Sequence, residues 1–144
     1  MEKTVIEPGF GDLDSEIVDH AVFSWGVVTE HSNHRRVCLS GGGWPEGDVQ
    51  EQTREILGYV EETLVDLGGS MDDIVMTRFY VRSDIFSRET RARIHEVRAD
   101  FFDYPEYPAS TMLGVADLLG DDMLVEIEAE AEIPDDEWSA EVVD

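Results

Sequence analysis

Leu124-Val125-Glu126-Ile127-Glu128-Ala129-Glu130-Ala131, continued by Glu132 and Ile133, alternates apolar and acidic side chains without a break. Successive side chains of an extended strand point to opposite faces of its sheet. Val125, Ile127, Ala129 and Ala131 therefore belong to a core face, and Glu126, Glu128, Glu130 and Glu132 to the other. A sheet with one apolar face needs a second layer, and the rest of the chain supplies candidates for it.

Working back from this strand, Thr111 to Leu118 reads as another strand, with Leu119-Gly120-Asp121-Asp122 as the turn between them. Tyr104-Pro105-Glu106-Tyr107-Pro108 is a rigid loop, because each proline disfavours helix in the residue before it. Phe86, Thr90, Ile94, Val97 and Phe101 share one side of an amphipathic helix. Ile74 to Val81 reads as a strand with Val75, Phe79 and Val81 on one face and Met76, Arg78 and Tyr80 on the other. Val49, Thr53, Ile56, Leu57, Val60 and Leu64 form the apolar stripe of an earlier helix. Asp48 and Glu51 fit a capping box at its start, and Gly68-Gly69 supplies a left-handed stop at its end. Ala21 to Val28 and Arg36 to Leu39 read as a hairpin around His31-Ser32-Asn33-His34.

The order β-β-α-β-α-β-β predicts a two-layer α+β domain, a mixed sheet with two helices packed on one face. It spans residues 20–133. Residues 1–19 are expected to form an N-terminal arm or short edge strand, with Pro8-Gly9-Phe10-Gly11 as a breaker cluster. Residues 134–144 form an acidic tail.

The chain has 144 residues, enough for one domain with a real core. It holds 34 acidic against 10 basic residues, a formal charge of −24. All the basic residues but Lys3 are arginine. Such a surface repels nucleic acid and anionic lipid, so neither is expected as a partner. The composition resembles that of proteins from salt-loving archaea, which keep a dense carboxylate shell in concentrated salt. No apolar run reaches the length of a membrane span and Met1-Glu2-Lys3-Thr4 lacks a signal-peptide core, which predicts a cytoplasmic protein. Cys38 is the only cysteine and reads as a small buried hydrophobe between Val37 and Leu39.

Five landmarks recur in fixed order: Cys38-Leu39-Ser40-Gly41-Gly42-Gly43, Leu67 to Val75, Ala99-Asp100-Phe101-Phe102, Pro108-Ala109-Ser110-Thr111 and the strand Leu124 to Ala131. Together they resemble the RidA (YjgF) family of enamine/imine deaminases. The resemblance implies a chorismate-mutase-like fold, a homotrimer and pockets between subunits. It also implies a small planar acid or imine as ligand, with no metal or other cofactor.

Position by position, the resemblance puts Glu126 where the family has the glutamate that positions or activates water. Ser40 and Gly41 match a pair whose backbone lines the pocket. Phe23 stands where the deaminases have a tyrosine, His95 where they have an asparagine, and Met112 where they have a cysteine. Ser110 stands where they keep an arginine that grips the substrate carboxylate. Serine offers one neutral hydrogen bond in place of a bidentate guanidinium, a loss of about 1.5–3 kcal/mol or about ten- to a hundredfold in binding. Arg78 or Arg98 could bring a guanidinium from elsewhere. As a titrating group near neutral pH, His95 can serve as acid or base beside Glu126.

Other site classes do not fit. His31 and His34 lie in a polar turn without a cysteine pair, which argues against zinc. Gly41-Gly42-Gly43 lacks the lysine and spacing of a phosphate loop. Asp72-Asp73 and Asp121-Asp122 are too sparse for calcium. Trp25 and Trp44 read as core or interface aromatics. Two functions remain: a small-molecule hydrolase acting on an imine or enamine without the arginine clamp, or a non-enzymatic ligand-binding or protein-interaction trimer. Action on RNA conflicts with the charge.

Overall fold

The computed structural model describes residues 2–9 and 21–136. The rest of the expected arm and the tail beyond Asp136 lie outside the described residues. Six strands form one mixed sheet: β1 (Lys3–Gly9), β2 (Phe23–Glu30), β3 (His34–Gly42), β4 (Ile74–Arg82), β5 (Ala109–Val115) and β6 (Val125–Pro134). Their spatial order is β1-β2-β3-β6-β4-β5. Helices α1 (Val49–Asp66) and α2 (Arg88–Arg98) cover one face, which gives the chorismate-mutase-like architecture. Among the described residues only β4 and β5 run parallel, joined by the α2 crossover.

Local chemistry accounts for α1 at both ends. The Asp48 carboxylate accepts from Glu51 N–H at 2.9 Å and Glu51 returns the bond to Asp48 N–H. At the far end Gly68 adopts φ +89°, so Gly69 N–H reaches Leu64 C=O and Gly68 N–H reaches Val65 C=O. This paired closure satisfies carbonyls the helix leaves open, and only glycine adopts that φ without strain. All six residues of the expected apolar stripe are buried.

Gln52 is buried beside them and satisfied on both ends of its amide. It donates to Gly47 C=O and Asp122 C=O and accepts from Leu124 N–H at 2.8 Å. That bond ties the start of α1 to the chain entering β6. On β6, Val125, Ile127, Ala129, Ala131 and Ile133 are buried, in the alternation read from sequence.

Of the arm and the short edge strand expected for this segment, Lys3–Gly9 forms the edge strand, paired antiparallel with β2. The structure corrects several other expectations. β3 does not stop at Leu39 but continues to Gly42 through a bulge, where Ser40 and Gly41 oppose a single residue of β6. A second register shift lies between Ile74 and Met76, so Val75 leaves the core face, 40% exposed, while Thr77 is fully buried beside Phe79 and Val81. Cys38 is exposed on the open face, because Val37 and Leu39 on either side take the core. β5 and β6, consecutive in sequence, do not pair, since β4 lies between them. Among the described residues, no helix is long and apolar enough to cross a membrane.

Candidate functional site

The open face of the sheet carries the four glutamates of β6 between two arginine-bearing strands. Cys38 on β3 and Met76 on β4 stand opposite Glu130. Their modest size lets Arg36 and Arg78 lean in diagonally from either side, and both guanidinium groups donate to the Glu130 carboxylate. These hydrogen bonds, led by Arg78, hold Glu130 below the ordinary carboxylate range. Arg36 also pairs with Glu132, and Arg78 reaches Glu128 at 3.6 Å. Tyr80 donates its hydroxyl to Glu128 at 2.6 Å. Three of the four acids are thus engaged by cross-strand partners.

Glu126 is the exception. Its neighbour on β4 is Tyr80, whose hydroxyl is committed to Glu128. On the β3 side lies the bulge, where Gly41 has no side chain. The Glu126 carboxylate fills that space: a Cβ on Gly41 would overlap Glu126 Oε1. Among the described residues no cation or hydrogen-bond donor pairs with Glu126. Half-buried, it has its pKa raised, first by burial and then by the charge of Glu128.

Ser40 and Phe23 lie close by. The Ser40 hydroxyl donates to Ser24 C=O at 2.7 Å, which fixes the bulge against β2. Phe23, 52% exposed, lines an open groove of about 480 Å³ with Ser40, Val27, Val5 and Pro8. Phe23, Ser40, Gly41 and Glu126 therefore form one neighbourhood on the open face.

The other expected residues lie across the sheet. Ser110 pairs with buried Thr77, and Met112 with buried Phe79, so both belong to the helix side. Met112 packs against the core, whereas Ser110 is exposed at the start of β5. His95, near the end of α2, lines a cavity of about 320 Å³ with Arg98, Ala99, Phe102, Tyr107 and Pro108. Burial lowers the His95 pKa, helped by the charges of Arg98 and Arg91. Within one chain, Glu126 and His95 do not meet.

Sequence reasoning passed over Tyr80 and the Glu130 clamp, whose partners are set by strand order rather than by spacing. Arg98 was open to a local argument, for positions three apart on a helix are neighbours and His95 is its i−3 residue. His31 and His34 stack with ring centroids 4.8 Å apart. Among the described residues no cluster of His, Cys, Asp and Glu is placed to hold a metal.

The family model described as Endoribonuclease L-PSP matches residues 20–133, the whole of the expected domain. The chain belongs to this family, the RidA/YjgF family. One RidA/YjgF relative, the RutC family protein PH0854 of Pyrococcus horikoshii, is 31% identical over 84 residues. That match covers 58% of this chain and 62% of the relative, less than two thirds of its length. Among solved structures, Rv2704 from Mycobacterium tuberculosis, a member of the YjgF/YER057c/UK114 family, superposes with a TM-score of 0.69 at 27% identity, covering 92% of this chain and 100% of that one. The Rid family protein YyfA from Yersinia pestis shares the fold with a TM-score of 0.67 at 23% identity, covering 92% of this chain and all of its own.

Proposed function

We propose that this RidA-like chain is a small-molecule hydrolase of imines or enamines, with Glu126 as its proton-transfer group. The observation that carries the reading is the isolation of Glu126. Three glutamates of β6 are engaged by arginine or tyrosine, while the fourth is left unpaired over a glycine with its proton affinity raised. A base whose pKa moves toward neutrality is better matched to proton transfer at working pH.

The chemistry balances without a cofactor: an imine and water give a carbonyl compound and ammonia. Glu126 takes a proton from water as the water oxygen bonds to the C=N carbon, forming a carbinolamine. The protonated carboxyl returns that proton to nitrogen. Glu126 then takes the hydroxyl proton and passes it to the same nitrogen, so that the C–N bond breaks, ammonia leaves and the carbonyl forms. Phe23 and the Ser40–Gly41 backbone would bound the ligand, and Ser110 offers it no charge.

The assembly in this reading is a homotrimer in a salt-rich cytoplasm. The open face lacks a helical cover and exposes Val5, Phe23 and Leu113, which a second copy would bury. A neighbouring subunit could also bring its His95 towards Glu126. The family description names an endoribonuclease, but a net charge of −24 opposes an RNA substrate.

The test is imine hydrolysis in molar salt, with an amino acid oxidase generating 2-iminopropanoate or a bulkier analogue. Wild-type activity that disappears in Glu126→Ala supports the reading. A silent wild type with activity gained in Ser110→Arg overturns it for this substrate class. Ligand binding without turnover is the second reading, favoured by the placement of Glu126 and His95 on opposite faces of one chain.

A further inference from the structure

Trp25 on β2, Trp44 just after β3 and Tyr59 on α1 come from three separate parts of the chain, yet they frame one cavity of about 210 Å³. Buried Ile56 and Gly42 line it from the core side, where a Cβ on Gly42 would press on both Ile56 and the Trp25 ring at 3.3 Å. Glu55 completes the wall. It lies four residues before Tyr59 on α1, and so on the same helix face. The Trp44 and Tyr59 rings stay open, 38% and 42% exposed, although burying rings of that size favours folding.

Two of the rings are held by their polar tips. Trp25 donates its indole N–H to Thr63 Oγ1 at 3.0 Å, and that hydroxyl donates in turn to Tyr59 C=O at 2.9 Å. The Tyr59 hydroxyl donates to Glu7 on β1 at 2.6 Å. Trp25 and Tyr59 tilt against each other with ring centroids 5.1 Å apart. What remains to face the cavity is almost wholly carbon. Among the described residues no lysine, arginine or histidine lines it, and Arg54 beside Glu55 is turned to Asp100.

An aromatic ring is negative on its face, so a box of rings with a carboxylate in its wall attracts a cation. A wall with almost no hydrogen-bond acceptor suits a cation without N–H bonds, which leaves no donor unpaired on entry. We propose that the cavity between β2, the Trp44 loop and α1 binds a small quaternary ammonium, with Trp25, Trp44 and Tyr59 as the cage and Glu55 as the counter-charge. The volume lies below that of ordinary ligand cavities, which limits the occupant to one compact headgroup. A chain at −24 draws cations towards it, and a carboxylate on the ligand would meet Glu55, so the ligand is a monocation rather than a zwitterion. The cage backs onto the Glu126 neighbourhood across β3. Gly41 gives its space to Glu126 on the open face, and Gly42 gives its own to Trp25 and Ile56 on the helix face. The site stands whether or not the chain hydrolyses a C=N bond.

The test is titration of the full chain with choline, and with dimethylbutanol, its neutral isostere with carbon in place of nitrogen. Ionic strength is fixed with KCl, and NMR follows the indole N–H signals of Trp25 and Trp44. Saturable shifts with choline are expected, with dimethylbutanol about tenfold weaker. Trp44→Leu, which keeps an apolar wall but removes a ring, should weaken choline about two- to thirtyfold. Glu55→Gln should weaken choline about two- to fivefold and leave dimethylbutanol unchanged. The absence of saturation in wild type, equal affinities for choline and dimethylbutanol, or unchanged choline affinity in Trp44→Leu would overturn the proposal. Unchanged choline affinity in Glu55→Gln would overturn the counter-charge. Should Trp44→Leu fail to fold, Trp44→Phe takes its place, since phenylalanine is the weaker cation partner, and a choline affinity equal to wild type would overturn the cage.

Discussion

The carboxylate of Glu126 occupies the volume that a side chain at Gly41 would need. The two residues sit on neighbouring strands, and the bulge in β3 brings them together. Gly41→Ala would push a flexible carboxylate aside rather than displace backbone. Stability should change by less than about 1 kcal/mol. Imine hydrolysis should fall by about a hundredfold, the scale expected for a catalytic group misplaced by about 1 Å. Parallel thermal melts and rate measurements separate the two, and unchanged turnover in the variant would remove Glu126 from the reaction.

Glu126 binds its proton more tightly in the folded chain than an ordinary glutamate does. Between the unfolded and folded pKa values the folded state therefore holds more protons, and stability falls as pH rises through that window. Glu126→Gln removes this cost. It should raise Tm at pH 7 and have little effect below about pH 4, where the glutamate is neutral in both states. Glu130 acts in the opposite sense: its depressed pKa contributes stability above the ordinary glutamate range that is lost on acidification. Melting curves of wild type and variant against pH check the sign, and a lower Tm for Glu126→Gln at pH 7 would contradict it.

Thr77 is fully buried, and its hydroxyl has no hydrogen-bond partner among the described residues. A polar group left unsatisfied costs about 1–3 kcal/mol, and valine has nearly the same shape. Thr77→Val should stabilise the fold by about 1 kcal/mol in denaturant unfolding. A loss of similar size would show that the hydroxyl is bonded in solution.

Salt acts on the −24 charge and on the arginine ladder in opposite senses. Surface repulsion is screened over about 10 Å at 0.1 M and about 3 Å at 1 M, whereas partly buried pairs such as Arg78–Glu130 are screened much less. Tm should therefore climb from low to molar KCl. A flat profile would sink the high-salt reading. Light scattering on the same samples should give a trimer, and a monomer in high salt would refute that assembly.

Most of the fold was legible because its signals are local. The Asp48–Glu51 box, the α1 stripe, Gly68 and the β6 alternation each follow from spacing along a few residues. Cys38 was misread as buried from its apolar neighbours: Val37 and Leu39 share the core face, and strand alternation leaves the residue between them on the open face. The bulges at Ser40–Gly41 and after Ile74 were not legible, for an extra residue in a strand shows only against its partner. The same holds for the clamp on Glu130, which depends on β6 lying between β3 and β4. Phe23, Ser40 and Gly41 gather around Glu126, while His95, Ser110 and Met112 depend on which face each strand or helix presents. Spacing does not record that.

The strand order has a consequence for how the chain is made. β6 alone joins β1-β2-β3 to β4-β5, yet it is the last of the six to be synthesised. Until residues 125–134 leave the ribosome, two half-sheets wait with their inner edges unpaired. Pairing across β3 and β4 must then form at long sequence separation, which is slow and leaves those edges open to other chains in the meantime.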